Sequence, residues 1–384
     1  MTALSVTALA LIAIAWIGYP VAATLLSWWR PRTRKPSDPA PARATVVIAT
    51  RHPPAVVAAR VRDLLSTSSL GMQLDIVVAV DAAAPDGLVD YAALLPSTVR
   101  VVMGDPPGGK AVTLNAGVRA ATSDIVVFAD SAQRFDPDAI PAILRFLTDE
   151  EFGAVSGAYR TDSATGSVLR AFWGLETIIR RAEARLHSLV AVTGAIYAIR
   201  RHLWQPLPPG LICDDLYVPL HVAASGLRVG FCEAALASDP RTFDHQQEFA
   251  RKVRTLTGLL QVCRWFPWVL APWTNPVWLQ FVCHKLLRLA TPYLLVVALV
   301  GSASVWSSWA LALWPAGAAV LAAIGVAALA RPERTRRLVA RATWGIWLQA
   351  AAVVATFNGI RGQWDVWQHA TPQSPKSSLR AVRV

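Results

Sequence analysis

The chain has 384 residues, of which 54% are hydrophobic and 16% charged, with a mean hydropathy of +0.39. This balance is too apolar for a purely soluble protein of this size, so part of the chain must lie in lipid. The formal net charge of +12 could indicate a nucleic acid partner. Much of the basic excess instead flanks apolar segments, where it meets anionic lipid, so we expect membrane lipids and no nucleic acid as partners.

The N-terminal apolar segment, Ala3–Trp29, contains no charged side chain. It is long enough to cross a hydrocarbon core, which needs roughly 20 residues. No basic residue precedes it and it is longer than a signal-peptide core, so the sequence favours a retained anchor over a cleaved leader. A Pro-rich stretch at 31–42 then predicts a linker.

A second uncharged block, 289–330, fits two spans joined by a tight turn. The following segment, 342–360, is less apolar, and we expect an interfacial or re-entrant course, with a fourth span as the alternative. Basic residues follow both the first span and the hairpin, which predicts that these flanks are cytoplasmic. The sequence therefore predicts a multi-pass protein of the cell membrane with a cytoplasmic catalytic domain.

The middle of the chain alternates apolar runs of strand length with helical segments. Such continuous apolar runs are typical of strands buried on both faces of a mostly parallel sheet, so the predicted class is α/β. A segment at 167–187 has the charge pattern of an exposed helix, and the Trp-rich segment 255–288 is typical of helices lying along a membrane surface. The predicted strands are 44–50, 74–80, 99–103, 125–129, 153–159, 194–199 and 229–231, and the predicted helices between the first four are 56–70 and 111–121.

The predicted domains are as follows: an anchor at 1–30, a linker at 31–42, a catalytic domain at 43–254, interfacial helices at 255–288, a membrane hairpin at 289–330, and a basic loop, membrane segment and cytoplasmic tail at 331–384.

Two predicted strands end on a lone carboxylate, Asp81 and Asp130. Ligands of open α/β sheets bind at the carboxyl ends of strands, so both residues are candidates for substrate or metal contacts, although Asp81 could also simply form a turn. Lys110 follows two glycines and opens a helix, whose amides favour an anion. A hard cation bridging a diphosphate needs one or two carboxylates, and here Ala132 leaves Asp130 alone.

Asp214 and Asp215 stand at the start of another predicted helix. They could cap it and stabilise its first turn, or one of them could take the proton of an acceptor hydroxyl as a general base. Further along, Arg251, Lys252 and Arg254 suit either a leaving diphosphate or lipid headgroups.

Taken in order, eight segments resemble the membrane-bound family-2 glycosyltransferases, of the cellulose and hyaluronan synthase kind and the bacterial polysaccharide synthase type. These segments are VVIAT at 46–50, VVAVD at 77–81, GGKAVTLNAG at 108–117, FADS at 128–131, TGAIYAIRR at 193–201, CDD at 213–215, FARKVRTLTG at 249–258 and HKLLR at 284–288. The chain departs from the family pattern at 51–53, at Ala132, and in lacking a QxxRW segment near residue 250.

This resemblance implies a GT-A fold with a Rossmann-like sheet, a UDP-sugar donor, a divalent Mg²⁺ or Mn²⁺, and inversion at the anomeric carbon. By the same resemblance, Asp215 is the catalytic base and Asp130 the metal ligand. The donor contacts are Thr50, Asp81, Lys110, Asp130, Arg251 and Arg254, and the acceptor side has Gly194 and Asp214.

The function that the resemblance implies is inverting transfer of a hexose from a nucleotide donor to a growing polysaccharide or lipid-linked acceptor at the cytoplasmic membrane face. One alternative is transfer of a single sugar to a lipid, such as a polyprenyl phosphate or a glycerolipid. Another is a catalytically inactive membrane scaffold that retains the fold. Few spans are available for a polymer channel, and a homo-oligomer could enlarge the pore.

Overall fold

The computed structural model describes residues 2–29, 43–67, 72–161, 166–241, 245–302 and 332–365. The predicted linker at 31–42, most of the predicted hairpin and the tail after 365 lie outside the described residues. The prediction for each of these segments therefore stays a prediction.

One mixed sheet of eight strands organises the central part of the chain, in the order β3-β2-β1-β4-β7-β6-β8-β5. The first four strands pair in parallel, whereas β7 is antiparallel to both β4 and β6. β8 runs parallel to β6 and pairs with β5 in antiparallel orientation. The strands are β1 Arg43–Thr50, β2 Gln73–Val80, β3 Arg100–Met103, β4 Ile125–Ala129, β5 Arg134–Phe135, β6 Phe152–Thr161, β7 Ile196–Arg200 and β8 Arg228–Asp239.

Helices cover both faces of this sheet, which confirms the α/β class and the GT-A-like arrangement. β1 contributes Val46 and Ile48 to one core and Val47 to the other, so its apolar run is continuous because both faces are buried. The helices are α1 Thr2–Ala13, α2 Tyr19–Trp29, α3 Pro54–Thr67, α4 Leu88–Leu94, α5 Lys110–Ala120, α6 Ala139–Phe146, α7 Gly166–Leu186, α8 Asp214–Ala224, α9 His245–Trp265, α10 Trp278–Ser302 and α11 Pro332–Arg361.

Two helical segments among the described residues are long and apolar enough to cross a membrane. The first, Ala3–Trp29, joins α1 and α2 through a π turn and has a mean hydropathy of 2.1; the second is α10, with a mean hydropathy of 1.5. Both leave large apolar side chains exposed, among them Trp29 and Leu299. Such surfaces suit a lipid environment, and the two helices flank the sheet domain in sequence.

The prediction that 167–187 forms an exposed helix is wrong for its second half. Glu176, Ile179 and Glu183 on α7 are buried, Glu183 with a relative exposure of only 1%. Tyr19 from α2 and His284 from α10 both contact the Glu183 carboxylate. Glu176 and Glu183 thus face charged and polar partners from two distant helices rather than solvent.

The second apolar helix begins at Trp278, inside the segment 255–288 for which we expected an interfacial course. The sequence predicted that the hairpin starts after Arg288, because the charged residues up to that position interrupt the apolar run. In the structure, Arg288 donates to Glu176 on α7 at 2.5 Å, and its guanidinium lies 4.8 Å from the centre of the Trp16 ring in the N-terminal apolar segment. These two contacts accommodate the charge of Arg288 within the helix.

The segment 342–360 lies in one continuous helix, α11, which packs along α9. Asn358 Nδ2 donates to Thr257 Oγ1 at 3.3 Å, and the Phe249 and Trp347 rings meet edge to face at 5.0 Å. The relation of this helix to the membrane remains a prediction.

Candidate active site

The carboxyl ends of β1, β2 and β4, the loop before β7 and the start of α8 meet at one edge of the sheet. Parallel strands carry their ligand-binding residues at this edge. Lys110, Asp130, Gly194 and Asp214 line a small cleft there, above an apolar floor that includes Phe128.

Asp81 ends β2 with a carboxylate that is already fully engaged within the protein. Its Oδ1 accepts the amides of Ala83 at 2.9 Å and Gly109 at 3.0 Å, and its Oδ2 pairs with Arg51 at 2.8 Å. Gly108 has φ of +94°, and a Cβ at this position would lie 2.6 Å from Asp81 Oδ1. Asp81 therefore fixes the glycine turn before α5 and holds Arg51 at the edge of the site.

The residues after β1 that depart from the family pattern contact this edge too. Thr50 Oγ1 accepts the His52 amide at 3.0 Å, and His52 Nδ1 lies 2.6 Å from Ser131 Oγ. Thr50 thus stabilises the end of β1, and its role as a donor contact remains a prediction.

Lys110 is the first residue of α5 and joins two of the predicted carboxylates. Its Nζ lies 3.2 Å from Asp214 Oδ1 and 3.7 Å from Asp130 Oδ1. Burial lowers the pKa of Lys110, but Asp214, Asp130 and Asp215 outweigh it, so the net pKa is raised and the ammonium form is retained. The structure thus brings together three residues that the sequence singled out separately.

The Asp215 carboxylate has a higher pKa than an ordinary aspartate. Burial and the neighbouring Asp214 raise its pKa from 3.8 to about 6, against the opposing charges of Lys110, Arg254 and Arg180. A base poised near the working pH takes up a proton more readily than an ordinary carboxylate does. A Cβ built on Gly194 would lie 3.7 Å from Asp215 Oδ2 and 3.8 Å from Lys110 Nζ, so this glycine lies directly beside both groups.

The Asp214–Asp215 pair is held by backbone contacts and by α9. Asp214 is the first residue of α8 and does not cap it, because the N-cap is Cys213 and no side chain caps the helix. The Asp215 carbonyl accepts the Val192 amide at 2.8 Å. Gln261 on α9 accepts the Ile212 amide at 2.8 Å, which anchors the loop that leads into the pair.

The Arg-Lys-x-Arg segment divides between two faces of α9. Arg254 faces Asp215 and Asp130, which oppose the lowering of its pKa by burial. Arg251 contacts Glu248 at 3.4 Å and hydrogen-bonds Tyr159, on the same side of the helix as Arg254. Lys252 points elsewhere, with its Nζ 4.8 Å from the centre of the Phe172 ring on α7.

Sequence reasoning missed three groups of residues at this edge. Arg180 donates to Thr193 Oγ1 and lies close enough to Asp215 to affect its pKa. The second is Tyr197, whose buried hydroxyl has no hydrogen-bond partner among the described residues, as is also true of Oδ2 of the predicted residue Asp214; this suits a site for a polar ligand or water. The sequence carries no signal for either residue, because Arg180 lies in a helix with the charge pattern of an exposed surface and Tyr197 lies in an ordinary strand pattern.

The third missed group surrounds the fully buried Asp239 at the end of β8. Arg241 donates to both of its oxygens, at 2.9 and 2.8 Å, and Gln133 donates at 3.2 Å. Burial raises the pKa of Asp239, but the bonds from Arg241 outweigh it and lower the net pKa. This pairing brings a guanidinium within electrostatic range of Asp130.

A sheet of this order, with carboxylates and a lysine at the carboxyl ends of its parallel strands, is typical of GT-A glycosyltransferases. Residues 41–258 match the family model described as glycosyltransferase like family 2. The chain therefore belongs to the family-2 glycosyltransferases and is a glycosyltransferase.

The solved structures that match the chain include two glycosyltransferases. The mannosyltransferase PcManGT from Pyrobaculum calidifontis, in complex with GDP-Man and Mn²⁺, is 22% identical with a TM-score of 0.65, covering 94% of this chain and 99% of that one. Glucosyl-3-phosphoglycerate synthase from Mycobacterium tuberculosis, in complex with Mn²⁺, UDP and glucosyl-3-phosphoglycerate, is 18% identical with a TM-score of 0.42, covering 58% and 79%. Comparison with curated protein sequences gave no match.

Proposed function

We propose that this protein is an inverting glycosyltransferase that moves a sugar from a nucleotide donor, a UDP-sugar, to a lipid-linked or polysaccharide acceptor at the cytoplasmic face of the cell membrane. The observation that carries the proposal is the Asp215 carboxylate. Its pKa is raised to about 6, its Oδ2 lies beside Gly194 of the cleft, and it is close to the Lys110 and Arg254 cations.

The proposed step uses these groups in fixed roles. The acceptor hydroxyl gives its proton to Asp215, and its oxygen forms a bond to the anomeric carbon of the donor sugar. The bond from that carbon to the diphosphate breaks on the opposite face, and its electron pair stays on the diphosphate oxygen. Lys110, Arg251 and Arg254 stabilise the resulting negative charge.

Asp130 would hold a divalent cation, Mg²⁺ or Mn²⁺, in this site. Its carboxylate lies at the end of β4 with 36% of the side chain exposed, and the described residues include no cluster of three metal-binding side chains. This donor set fits a hard cation that takes most of its ligands from a diphosphate and water. Once bound, such a cation supplies charge stabilisation for the leaving diphosphate.

Cation binding should consequently depend on the nucleotide. With one carboxylate available, we expect calorimetry to detect only weak Mn²⁺ binding by the protein alone and much tighter binding when a nucleoside diphosphate is present. Asp130→Asn should abolish the nucleotide-dependent increase. Tight Mn²⁺ binding by the nucleotide-free protein would contradict this assignment, as would full activity in excess chelator.

The pH dependence of the rate provides a second test. The reaction needs the Asp215 carboxylate, so kcat/KM should fall about tenfold per pH unit once the pH drops below about 6. The matched control Asp124→Asn changes an exposed carboxylate at the opposite end of β4 and should leave this limb in place. An acid limb near pH 4, the range of an ordinary aspartate, would argue against Asp215 as the base.

The acceptor and donor are best identified by screening nucleotide sugars with membranes that contain the protein. Transfer to a single lipid and synthesis of a polymer are distinguished by product size. Two apolar helices and the exposed Trp29 and Trp273 support a membrane location for either reaction. If no nucleotide sugar is turned over while the protein remains folded, the inactive scaffold becomes the better explanation.

A further inference from the structure

A charged layer lies between the catalytic edge and the two apolar helices. Phe172, Glu176 and Arg180 follow each other at four-residue intervals on α7, with Glu183 on the next turn, so they share one face of the helix. This face meets α2, α9 and α10. Charged and polar side chains, rather than apolar ones, fill much of this contact between the sheet domain and the apolar helices.

Both carboxylates of this layer are already paired. Glu183 accepts from Tyr19 Oη at 2.6 Å and lies 2.9 Å from His284 Nδ1. Glu176 accepts from Arg288 at 2.5 Å and lies 3.0 Å from His284 Nε2. Among the described residues, the contact ion pairs of these two carboxylates are with His284 and Arg288, and Glu176 acts on Arg180, Lys252 and Lys285 only at longer range.

Three more cations nevertheless lie on the same face. Lys252 Nζ sits over the Phe172 ring, and Lys285 Nζ lies 3.5 Å from His284 Nε2. Within the described part of the chain, no carboxylate oxygen lies within 4.0 Å of either ammonium nitrogen. Arg180 donates to Thr193 and to the Ala191 carbonyl, which are neutral acceptors.

Positive charge that is only partly compensated in a partly buried layer is costly, and an anion would relieve that cost. Burial lowers the pKa of Lys252, which is the effect expected of an ammonium without sufficient counter-charge. Arg180 links this layer to the reaction, because its charge also reaches Asp215. An anion bound here would lie beside the catalytic base and next to the apolar helices.

We propose that Arg180, Lys252 and Lys285 bind the phosphate of a membrane lipid that carries the acceptor hydroxyl. The lipid chain lies along α2 and α10, the phosphate is held by the three cations, and the hydroxyl of the attached sugar reaches Asp215. This inference rests on the proposed transferase function and specifies its acceptor as a lipid-phosphate-linked sugar. The bonds formed and broken are those of the proposed step, and the lipid phosphate stays intact.

The test compares two acceptors with the full-length protein in phosphatidylcholine nanodiscs and a donor that it turns over. One carries a sugar on a prenyl chain through a phosphate, and the other carries the same sugar through an uncharged ether. We expect the KM of the phosphate acceptor to be at least about tenfold lower, because charge-assisted hydrogen bonds are lost with the ether. Lys252→Gln and Lys285→Gln should each remove most of this preference.

Arg181→Gln is the matched control, because Arg181 is adjacent to Arg180 but pairs with the exposed Glu233 and should keep the preference. A binding measurement is independent of turnover: a short-chain prenyl phosphate should raise the melting temperature of the donor-free protein more than the prenyl alcohol does. Inorganic phosphate alone should not reproduce this shift, whereas a shift of equal size would assign the site to free phosphate and overturn the lipid assignment.

Equal KM values for the two acceptors in the wild-type protein would overturn the inference, as would a preference that survives both lysine substitutions. Release of nucleoside diphosphate separates this outcome from failure of the proposed function. Donor turnover without preference for phosphate contradicts only the lipid-phosphate site. No turnover of any donor contradicts the transferase proposal itself.

Discussion

Replacing Asp215 with asparagine is expected to reduce turnover by about 10²–10⁴-fold while nucleotide-sugar binding persists. The amide has nearly the same shape as the carboxylate but cannot take up the acceptor proton. The local structure should survive, because the Asp215 backbone carbonyl, and not its side chain, accepts the Val192 amide. Steady-state kinetics give the change in kcat, and calorimetry with the donor gives the binding constant.

Asp124→Asn serves as the control for this substitution, because it makes the same chemical change at a fully exposed carboxylate. It should leave both kcat and donor binding unchanged. If Asp215→Asn retains most of the wild-type rate, the base must be another group. Asp214, whose Oδ1 lies 3.2 Å from Lys110 Nζ, would then be the first alternative.

Replacing Lys110 with methionine should lower kcat/KM by about 10²–10³-fold, the usual effect of removing one group that stabilises developing negative charge. The substitution leaves Asp130 and Asp214 without their shared ammonium, so they would repel an incoming diphosphate. It should also move the acid limb of the pH profile above about 6, because the Lys110 charge opposes the rise in the pKa of Asp215.

The matched control is Arg119→Met, which removes a cation from the same helix. Arg119 is exposed and pairs with Asp105 on the surface, so neither the rate nor the acid limb should change. A Lys110→Met enzyme with a lower rate but an unmoved acid limb would mean that Lys110 acts on the donor alone. An unchanged rate would contradict its placement in the site.

The parallel half of the sheet was predictable because its strands are buried on both faces. The run IVVFA at Ile125–Ala129 has no polar residue and matches β4 residue for residue. Once strands are recognised, their carboxyl ends identify Asp81 and Asp130 without further information. The convergence of Asp130 with Lys110 and Asp214 is seen only in the structure, because Asp214 opens α8 after the antiparallel strand β7 and a loop. The individual roles of these residues remain predictions.

The charged layer on α7 could not be predicted in the same way. Glu176 and Glu183 have the pattern of a solvated helix. Only their partners on α2 and α10, all more than a hundred residues away in the sequence, explain their burial. The start of α10 was missed for the same reason, because Arg288 ends an apolar run in sequence but is paired in the structure. The local pattern of apolar and polar residues cannot predict that a charged side chain is buried when its partners lie on elements distant in the sequence.

The stereochemistry of transfer tests the central claim most directly. Proton NMR of the wild-type protein with an α-linked nucleotide sugar and an acceptor should detect release of the nucleoside diphosphate and a first-formed product with the β configuration. That result is required if the acceptor oxygen, deprotonated by Asp215, attacks opposite the leaving diphosphate. A first-formed product with the α configuration would contradict the account.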